Sequence, residues 1–372
     1  MQKELTMRVI VTGGGTGGHI YPAIAIADKI KEMEPDSEIL YVGNDVGLEK
    51  DIVPKTGYPF EMVTAMWLDR SNLLKIFKTG WGVLKGTSEA RKIMKRFKPD
   101  VVIGTGGYVC VPVLLAGKQY GARTYLHEQN AYPGMANKFL EKSVRHIFLG
   151  FPDAAKHFRQ PEKLIDAGNP VRKSFFELTR KEAREKLGLP QDAFIVLSFG
   201  GSLGAEKINE VAFDLMETVN GQENIMLIFG TGKWYYEATL KKAEEKGIDI
   251  QNNILIKDYM DPMEVYLAAC DVVISRSGAL SVAETTVCGK ASIMIPSPNV
   301  TGNHQYYNAM AVASRGGAVL IEEKDLTSEK VIEEVLKLKN HPQLLEEMSR
   351  ASRACAPDHA LDIIYNTIRQ NV

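Results

Sequence analysis

Residues 9–19 read VIVTGGGTGGH, an apolar strand-like run that passes directly into a glycine turn and then into a helical pattern rich in Ala and Ile. The same order recurs about half a chain later, where residues 194–205 read FIVLSFGGSLGA. A strand that ends in a glycine turn before a helix offers free backbone N–H groups to an anion. The two copies predict an α/β protein of two Rossmann-like domains, each with a doubly wound parallel sheet, facing each other across a cleft.

Length and composition agree with a two-domain globular protein. The chain has 372 residues, of which 45% are hydrophobic and 24% charged, and its net charge of −1 gives no support to a nucleic-acid partner. The four cysteines and seven histidines show no clusters at the spacing of a zinc site. No apolar run approaches the roughly 20 residues that cross a bilayer, so we expect any membrane contact to be peripheral.

Ten strand-like runs alternate with helical periodicity, which is typical of parallel sheets. They are residues 8–11, 38–42, 101–103, 124–126, 146–149, 195–198, 225–229, 254–256, 272–274 and 291–295. Turn residues at 168–172 predict a boundary between an N-terminal domain, residues 1–170, and a C-terminal domain, residues 171–354. A last helical pattern at about 355–372 has no strand to cover, and we expect it to pack back on the N-terminal domain.

Gly13, Gly15 and Gly18 satisfy the GxGxxG pattern of dinucleotide-binding proteins. A dehydrogenase also needs an acid at the end of the second strand, but residues 41–44 read YVGN, so the pattern is weak evidence for a nicotinamide cofactor. A third glycine turn, residues 104–108, follows another strand of the same half. Glycines at this density indicate a close approach of some group to the backbone.

Seven motifs closely resemble, in the same order, those of the MurG family of peptidoglycan glycosyltransferases. They are residues 12–22 (TGGGTGGHIYP), 104–112 (GTGGYVCVP), 127–130 (HEQN), 168–172 (GNPVR), 200–205 (GGSLGA), 275–284 (SRSGALSVAE) and 303–309 (NHQYYNA). The resemblance implies a GT-B fold and an inverting transfer of N-acetylglucosamine from UDP-GlcNAc to the 4-hydroxyl of MurNAc in lipid I (undecaprenyl-pyrophosphoryl-MurNAc-pentapeptide). The product would be lipid II of peptidoglycan synthesis, made without a cofactor by a peripheral protein at the cytoplasmic face of the cell membrane.

The resemblance assigns the donor nucleotide mainly to the C-terminal domain. The helix after residues 200–205 suits the UDP diphosphate, and Ser202 adds a hydroxyl donor. Arg172 resembles a diphosphate-contacting arginine that would stabilise the departing UDP. Glu284 resembles the carboxylate that accepts both ribose hydroxyls, and Met260 stands where an isoleucine usually lies against uracil. Packing in the core is the competing interpretation of Met260.

The resemblance builds the sugar site from both domains, with neutral groups that can donate to hydroxyls and accept from them. The implied sugar contacts are Thr16, Gly17, Gly18, Asn130, Ala279, Leu280, Ser281 and Gln305, with Asn308 as a further candidate. His304 departs from the glutamine seen in some members of the family.

His19 is the predicted catalytic base, because glycosyl transfer to an alcohol removes a proton and an imidazole titrates near neutral pH. A histidine that only caps its helix is the competing interpretation. Tyr108 and Glu128 are candidates on the acceptor side, Glu128 for orienting rather than for reacting. The sequence contains no DxD motif, so we predict no metal site and expect Arg172 and a helix N-terminus to stabilise the leaving UDP.

Residues 73–98 contain eight basic residues and one acid, with Leu73, Phe77, Trp81 and Leu84 at helical spacing among them. Large apolar side chains beside a basic run are typical of a helix that lies on an anionic membrane surface. The same pattern also suits a helix with aromatic residues in the core and lysines in water. The family resemblance favours the membrane interpretation.

Two other functions fit parts of the pattern. One is a different UDP-sugar enzyme of the GT-B fold, either a glycolipid glycosyltransferase or a UDP-GlcNAc 2-epimerase, although we identify no acidic epimerisation residues. The other is a nucleotide-binding partner protein without catalysis. His19 together with both nucleotide and acceptor turns in one chain argues against the partner protein.

Overall fold

The computed structural model describes residues 6–66, 73–201, 203–250 and 252–371, without the side chains of residues 73–79. The chain divides into two compact units. Unit 1 consists of Met1–Val171 and Pro357–Val372, and unit 2 consists of Arg172–Ala356.

Strands and helices alternate through unit 1. Its strands are β1 (Arg8–Thr12), β2 (Glu38–Gly43), β3 (Phe60–Met62), β4 (Val101–Gly104), β5 (Arg123–Glu128), β6 (His146–Leu149) and β7 (Leu164–Asp166). Its helices are α1 (Gly17–Met33), α2 (Glu49–Ile52), α3 (Leu73–Phe97), α4 (Cys110–Tyr120), α5 (Met135–Leu140) and, at the end of the chain, α15 (Ala360–Arg369).

Unit 2 has the same alternation. Its strands are β8 (Phe194–Phe199), β9 (Ile225–Gly230), β10 (Ile254–Lys257), β11 (Val272–Ser275), β12 (Ala291–Met294) and β13 (Ala318–Leu320). Its helices are α6 (Ser174–Glu177), α7 (Arg180–Leu187), α8 (Glu206–Val219), α9 (Tyr236–Glu245), α10 (Met263–Ala269), α11 (Ala279–Val287), α12 (His304–Ala313), α13 (Ser328–Asn340) and α14 (Pro342–Arg353).

Each unit contains one parallel sheet with its first strand in the middle. In the described residues the order is β3-β2-β1-β4-β5-β6-β7 in unit 1 and β10-β9-β8-β11-β12-β13 in unit 2, and every pairing is parallel. Helices cover both faces of such sheets, which explains why the central strands are continuous apolar runs. Val9, Ile10 and Val11 of β1 are fully buried, for example.

The predicted doubly wound parallel sheets are confirmed, and each of the ten predicted strand-like runs lies in a strand apart from a terminal residue. Sequence reasoning missed three strands, β3, β7 and β13, which have three residues each and lie at sheet edges. Such short, half-buried segments carry no clear alternation of apolar and polar residues, so periodicity does not detect them.

Helix α15 belongs to the core of unit 1 although it ends the chain. Its Ile364 and Ile368 are almost fully buried in the same cluster as residues of β1 and α1. Lys29 of α1 pairs with Asp362 at 2.8 Å, and the Tyr365 hydroxyl donates to Glu34 at 3.0 Å. Apolar burial with polar contacts at its rim thus fastens α15 to α1.

A fully buried arginine joins α7 to α10 and, through Asp271, to the start of β8. Arg184 of α7 has no exposed surface, and its guanidinium donates to Asp271 at 2.8 Å and to the Ala269 carbonyl at 2.9 Å. The same Asp271 oxygen accepts the Ile195 N–H at 2.7 Å, at the start of β8. A buried charge is tolerated because its partners are this complete.

Replacing Asp271 with Ala should therefore leave the Arg184 charge buried without its counterion. We expect the free energy of unfolding to fall by about 3–5 kcal/mol, measured by urea denaturation. The matched control is Glu185→Ala on α7, the helix that carries Arg184. Glu185 pairs with Lys181 at 3.9 Å, and both side chains are mostly exposed. Its cost should stay below about 0.5 kcal/mol, and equal costs for the two variants would contradict the prediction.

Candidate active site

The strand order reverses beside the first strand of each sheet. In unit 1 the register pairs Thr12 at the end of β1 with Gly104 at the end of β4, and in unit 2 it pairs Phe199 at the end of β8 with Ser275 at the end of β11. Ligands of such sheets bind outside the carboxyl ends of the strands at this reversal. The candidate site in each unit is therefore formed by the two loops that follow these strands.

We call these segments the β1 loop (residues 13–16), the β4 loop (105–109), the β8 loop (200–205) and the β11 loop (276–278). The structure thus brings the glycine motifs of the sequence to the carboxyl edges of the two sheets. His19 and Tyr108 lie at the edge of unit 1, and Ala279 begins a helix at the edge of unit 2.

The four helices that begin at these edges have no side-chain cap. Within the described residues, Thr16, Val109, Ala205 and Gly278 precede α1, α4, α8 and α11, and none of them accepts a hydrogen bond from its helix through a side chain. Thr179 and Thr327, by contrast, cap α7 and α13 with their hydroxyls. An uncapped N-terminus offers N–H groups and the positive end of the helix dipole to an anion.

The β1 and β4 loops pack against each other through their backbones. Gly14 N–H donates to the Gly106 carbonyl over 3.3 Å, and a side chain at Gly107 would clash with the Gly14 backbone. Thr105 occupies the space where Gly13 would carry a side chain. Contact between two loops therefore requires much of the glycine density that the sequence analysis assigned to an approaching ligand.

Three predicted sugar contacts of unit 1 lie at the open start of α1. Thr16 and Gly18 are exposed and Gly17 is partly exposed. A side chain at Gly18 would meet nothing closer than the Thr16 hydroxyl, so the first turn of this helix is accessible to a ligand.

His19 lies in the first turn of α1 with its ring against the β4 loop. Its Nδ1 is 3.0 Å from the Gly14 carbonyl, and because a carbonyl only accepts, the neutral ring carries its proton on Nδ1. Nε2 is therefore unprotonated, and it lies 3.0 Å from the position that a Cβ on Gly106 would take. Its hydrogen bond goes to a loop carbonyl rather than to a helix N–H group, so His19 does not cap α1.

Burial lowers the pKa of His19 from its ordinary value, and this effect outweighs the Gly14 hydrogen bond and the field of Glu49, which both raise it. The imidazole is consequently neutral at pH 7. A neutral ring with an unprotonated Nε2 is the state that a general base requires.

Glu128 is buried and fully engaged. Its carboxylate accepts from Asn130 N at 2.9 Å, Asn130 Nδ2 at 3.2 Å, Gly134 N at 3.0 Å and Asn137 Nδ2 at 2.7 Å. Burial raises the pKa of Glu128, and these four hydrogen bonds oppose the rise. A carboxylate held in this way is suited to orienting the partly exposed Asn130 rather than to taking a proton from a substrate.

His127, the residue before Glu128, is also part of the scaffold. Its Nε2–H donates to the Gly168 carbonyl at 2.9 Å, and its Nδ1 accepts from Gln129 at 3.0 Å. Burial lowers the pKa of His127 to about 4, so the ring stays neutral. The histidine thus joins β5 to Gly168, in the segment that follows β7.

The edge of unit 2 contains three charged groups close together. Arg172 Nη2 lies 3.3 Å from a carboxylate oxygen of Glu264, and the fields of both residues act on Glu284. Burial raises the pKa of Glu284 to about 7, with Arg172 opposing and Glu264 adding to the rise. The residue as a whole keeps part of its surface exposed.

Hydrogen bonds between α11 and α12 fix the start of α11. The hydroxyl of the buried Ser277 donates to the Gln305 carbonyl at 2.9 Å, and Asn308, fully buried, donates to the Ser277 carbonyl at 3.1 Å. The Gln305 amide oxygen accepts from Ser297 N at 2.9 Å, which leaves its NH2 group as the donor end. Asn308 therefore positions the β11 loop, whereas Ala279, Leu280 and Ser281 lie in the first turn of α11.

Met260 and Ser202 are the two other residues predicted to contact the nucleotide. Met260 is 7% exposed and packs against Gly230 at the end of β9, so its side chain serves the core packing that the sequence analysis held open. Ser202 lies outside the described residues.

Sequence reasoning missed two acids. Glu49 is fully buried behind the β1 loop, and Glu264 pairs with Arg172. Neither belongs to a glycine motif, and in a chain with 46 acidic residues no spacing singles them out. The available signal for Glu49 was its position just after Gly43 and Gly47, glycines that leave room for a buried side chain.

Helix α3 carries exposed aromatic and basic side chains. Trp81 is 63% and Leu84 71% exposed, while Ile93 and Met94 on another face are buried. Lys85 lies 5.8 Å from the centre of the Trp81 ring. The side chains of Leu73 and Phe77 lie outside the described part of the chain.

The part of the chain that the structure describes contains neither a metal-binding cluster nor a membrane-spanning helix. No three His, Cys, Asp or Glu side chains there are grouped to hold a metal ion. In the same residues, no helix combines the length and the apolar character needed to cross a bilayer.

Comparison with known proteins identifies relatives along nearly the whole chain. A UDP-N-acetylglucosamine--N-acetylmuramyl-(pentapeptide) pyrophosphoryl-undecaprenol N-acetylglucosamine transferase of Alkaliphilus oremlandii is 42% identical over 98% of both chains. The crystal structure of Acinetobacter baumannii MurG superposes with a TM-score of 0.76 and 25% identity over 98% of this chain and 99% of that one. A UDP-N-acetylglucosamine 2-epimerase of Listeria monocytogenes (98% of this chain, 96% of that one) has a TM-score of 0.71 but 16% identity, which shows the fold alone.

Two family models account for most of the chain. The model of the glycosyltransferase family 28 N-terminal domain matches residues 9–149, and that of its C-terminal domain matches residues 195–363. Together with the MurG structure, they confirm the GT-B fold and the family resemblance inferred from the motifs. The chain belongs to glycosyltransferase family 28.

Proposed function

We propose that this chain is an inverting N-acetylglucosaminyltransferase that moves N-acetylglucosamine from UDP-GlcNAc to the 4-hydroxyl of MurNAc in lipid I, giving lipid II of peptidoglycan synthesis. The observation that carries this proposal is the 42% identity, over 98% of the chain, to a transferase named for that donor and acceptor. The epimerase alternative has only a likeness of fold in its favour.

The donor nucleotide binds at the edge of unit 2. Its diphosphate lies at the uncapped N-terminus of α8, and Arg172 supplies a cation for the same group. Glu284 accepts hydrogen bonds from the two ribose hydroxyls, and its place beside Arg172, on a partly exposed residue, supports that role. Asn130, Gln305, the first turn of α11 and the first turn of α1 contact the sugar.

Unit 1 supplies the base. The acceptor hydroxyl attacks the anomeric carbon, its proton passes to Nε2 of His19, and the bond between the anomeric carbon and the UDP oxygen breaks. One displacement inverts the configuration at that carbon. Negative charge develops on the leaving UDP, where Arg172 and the dipole of α8 stabilise it. Glu128 orients Asn130, and Tyr108 contacts the acceptor.

Incubation of the chain with radiolabelled UDP-GlcNAc and a lipid I analogue should give labelled disaccharide lipid. The His19→Ala variant should turn over about 10² to 10⁴-fold more slowly, the usual contribution of a positioned base, with donor affinity nearly unchanged. Absence of labelled product from the wild type would contradict the function. Normal turnover in the variant would instead eliminate His19 as the base and leave the function standing.

Donor affinity should depend on pH through Glu284. The ionised carboxylate is the better acceptor for ribose hydroxyls, and its pKa in the free protein is about 7, so protonation competes with donor binding at lower pH. By isothermal titration we expect constant affinity above about pH 8 and about tenfold weaker binding at pH 6. Glu284→Gln should bind UDP-GlcNAc more weakly at pH 8, and its donor affinity should not change between pH 8 and pH 6. A pH dependence that persists in Glu284→Gln would contradict the assignment.

We also propose that the chain acts as a peripheral protein at the cytoplasmic face of the cell membrane, with α3 against anionic lipid. Trp81 and Leu84 project into solvent rather than into the core. Exposed cations lie on the same helix, at Arg91, Lys92, Lys95 and Arg96, and Lys98 directly follows it. An apolar group flanked by cations is what binding to an anionic leaflet requires.

Replacing Trp81 and Leu84 together with Ser should weaken binding to vesicles of anionic phosphatidylglycerol, measured by sedimentation. Because both side chains are exposed, the melting temperature and turnover of a water-soluble acceptor should stay unchanged. Met33→Ser is the matched control, since Met33 is an exposed apolar residue of the same unit, on α1. Vesicle binding that is equal in the wild type and both variants would overturn the membrane proposal.

A further inference from the structure

Glu49 is a buried carboxylate that holds the β1 loop from behind. It begins α2 and has no exposed surface. One carboxylate oxygen accepts Gly15 N–H at 3.0 Å, and the other accepts Asn44 N–H at 3.1 Å. The carboxylate thus joins the β1 loop to the end of β2.

Glycines make the space that Glu49 occupies. A side chain at Gly14 or Gly47 would collide with the carboxylate, and one at Gly43 would collide with Cγ of Glu49. Three glycines around one acid indicate that the backbone is arranged to admit this carboxylate rather than merely to turn. This arrangement accounts for Gly14 of the first glycine motif without a ligand.

One peptide group connects Glu49 to His19. The N–H of Gly15 and the carbonyl of Gly14 belong to the same peptide, so the group that donates to Glu49 also accepts from His19 Nδ1 at 3.0 Å. Hydrogen bonds in such a chain polarise one another, because a negative charge at the N–H end makes the carbonyl oxygen a stronger acceptor. The chain of contacts runs from carboxylate to peptide to imidazole.

We propose that Glu49 is a positioning residue for catalysis, acting through the Gly14–Gly15 peptide to hold His19 in the tautomer with a free Nε2 and to stabilise its protonated form. This inference rests on the proposed role of His19 as base. Glu49 itself touches neither donor nor acceptor. Its place behind the loop resembles that of an acid that orients a catalytic histidine directly, with a peptide inserted between the two.

The charge on Glu49 acts on titratable side chains of three neighbouring elements. They are His19 from α1, Tyr41 from β2 and Cys110 from α4. Burial raises the pKa of the Cys110 thiol to about 12 and that of Tyr41 well above its ordinary value, so neither changes its charge between pH 5 and 9. Removal of the Glu49 charge should therefore be felt mainly by His19, whose pKa Glu49 raises.

The direct test is Glu49→Gln in the full chain, with His19 observed by NMR of ¹⁵N-histidine-labelled protein and assigned through His19→Ala. We expect the wild-type ring to carry its proton on Nδ1 and to titrate at a lower pH in Glu49→Gln. The matched control is Glu141→Gln, because Glu141 is another buried acid of unit 1 that accepts backbone N–H groups, from Arg159 and Gln160. This control should leave the His19 titration unchanged.

The same variants enter the transfer assay. Glu49→Gln should lower kcat about 10- to 100-fold with little change in KM for UDP-GlcNAc, and the acidic limb of its rate profile should move to lower pH. Glu141→Gln should keep the wild-type kcat and the wild-type acidic limb of the pH–rate profile. A wild type that transfers no sugar contradicts the proposed function but not the link between Glu49 and His19, which NMR measures separately.

The inference is overturned if His19 titrates identically in the wild type and Glu49→Gln, or if kcat is unchanged in Glu49→Gln while His19→Ala is inactive. If Glu49→Gln does not fold, Gly47→Ala is the variant to measure instead. The added methyl group crowds the carboxylate away from Gly15 and keeps its charge. A folded Gly47→Ala protein should also lose kcat, and normal turnover there would contradict the positioning role.

Discussion

Parallel pairing beside the first strand of each sheet is the constraint on which both candidate sites depend. The register that sets Thr12 against Gly104, and Phe199 against Ser275, makes neighbouring strands end at the same level. Two loops then emerge side by side, and the helices that follow point their N-termini at the same edge. The chemistry of each unit is a consequence of which side chains and N–H groups this edge exposes.

Buried side chains fix the conformation of the loops at these edges, because the loops make too few contacts of their own to do so. A loop whose N–H groups must stay open to a ligand has no side-chain cap, and its fixed shape has to come from buried partners. Glu49 holds the β1 loop, Glu128 holds the segment with Asn130, and Asn308 holds the β11 loop. Each is a buried polar group with its hydrogen bonds made within its own unit.

The two edges also differ in charge. Behind the β1 loop, Glu49 occupies the Gly15 N–H and places a negative charge where a diphosphate would need the opposite. In unit 2, Arg172 lies at the corresponding edge and pairs with Glu264. In the proposed function the anionic donor binds to unit 2, where Arg172 supplies a cation, and unit 1 supplies the base for a neutral hydroxyl, although the two edges share a backbone design.

The sequence was sufficient for the features that carry a repeated local pattern. Apolar runs before glycine turns located β1 and β8. The motif around His19 led to the prediction of a catalytic base, which stays a prediction; in the structure Nδ1 of this ring lies next to the Gly14 carbonyl, and burial lowers the pKa of the imidazole. The sequence could not show that Met260 is buried against Gly230, because burial depends on distant packing.

Buried acids were the hardest residues to predict. Glu49 belongs to no motif, and its role depends on backbone N–H groups that only the folded chain brings to it. Glu128 was singled out by its motif, but its contacts with Gly134 and Asn137 could not be read from the sequence. The same holds for Arg184, which lies in a strongly charged segment that reads as solvent-exposed yet is fully buried.

A crystal structure of the chain with UDP most directly tests whether the two edges are divided in this way. We predict the diphosphate at the N-terminus of α8 within reach of Arg172, with both ribose hydroxyls on Glu284. UDP bound instead at the β1 loop beside His19 would contradict the assignment of donor and base to different units.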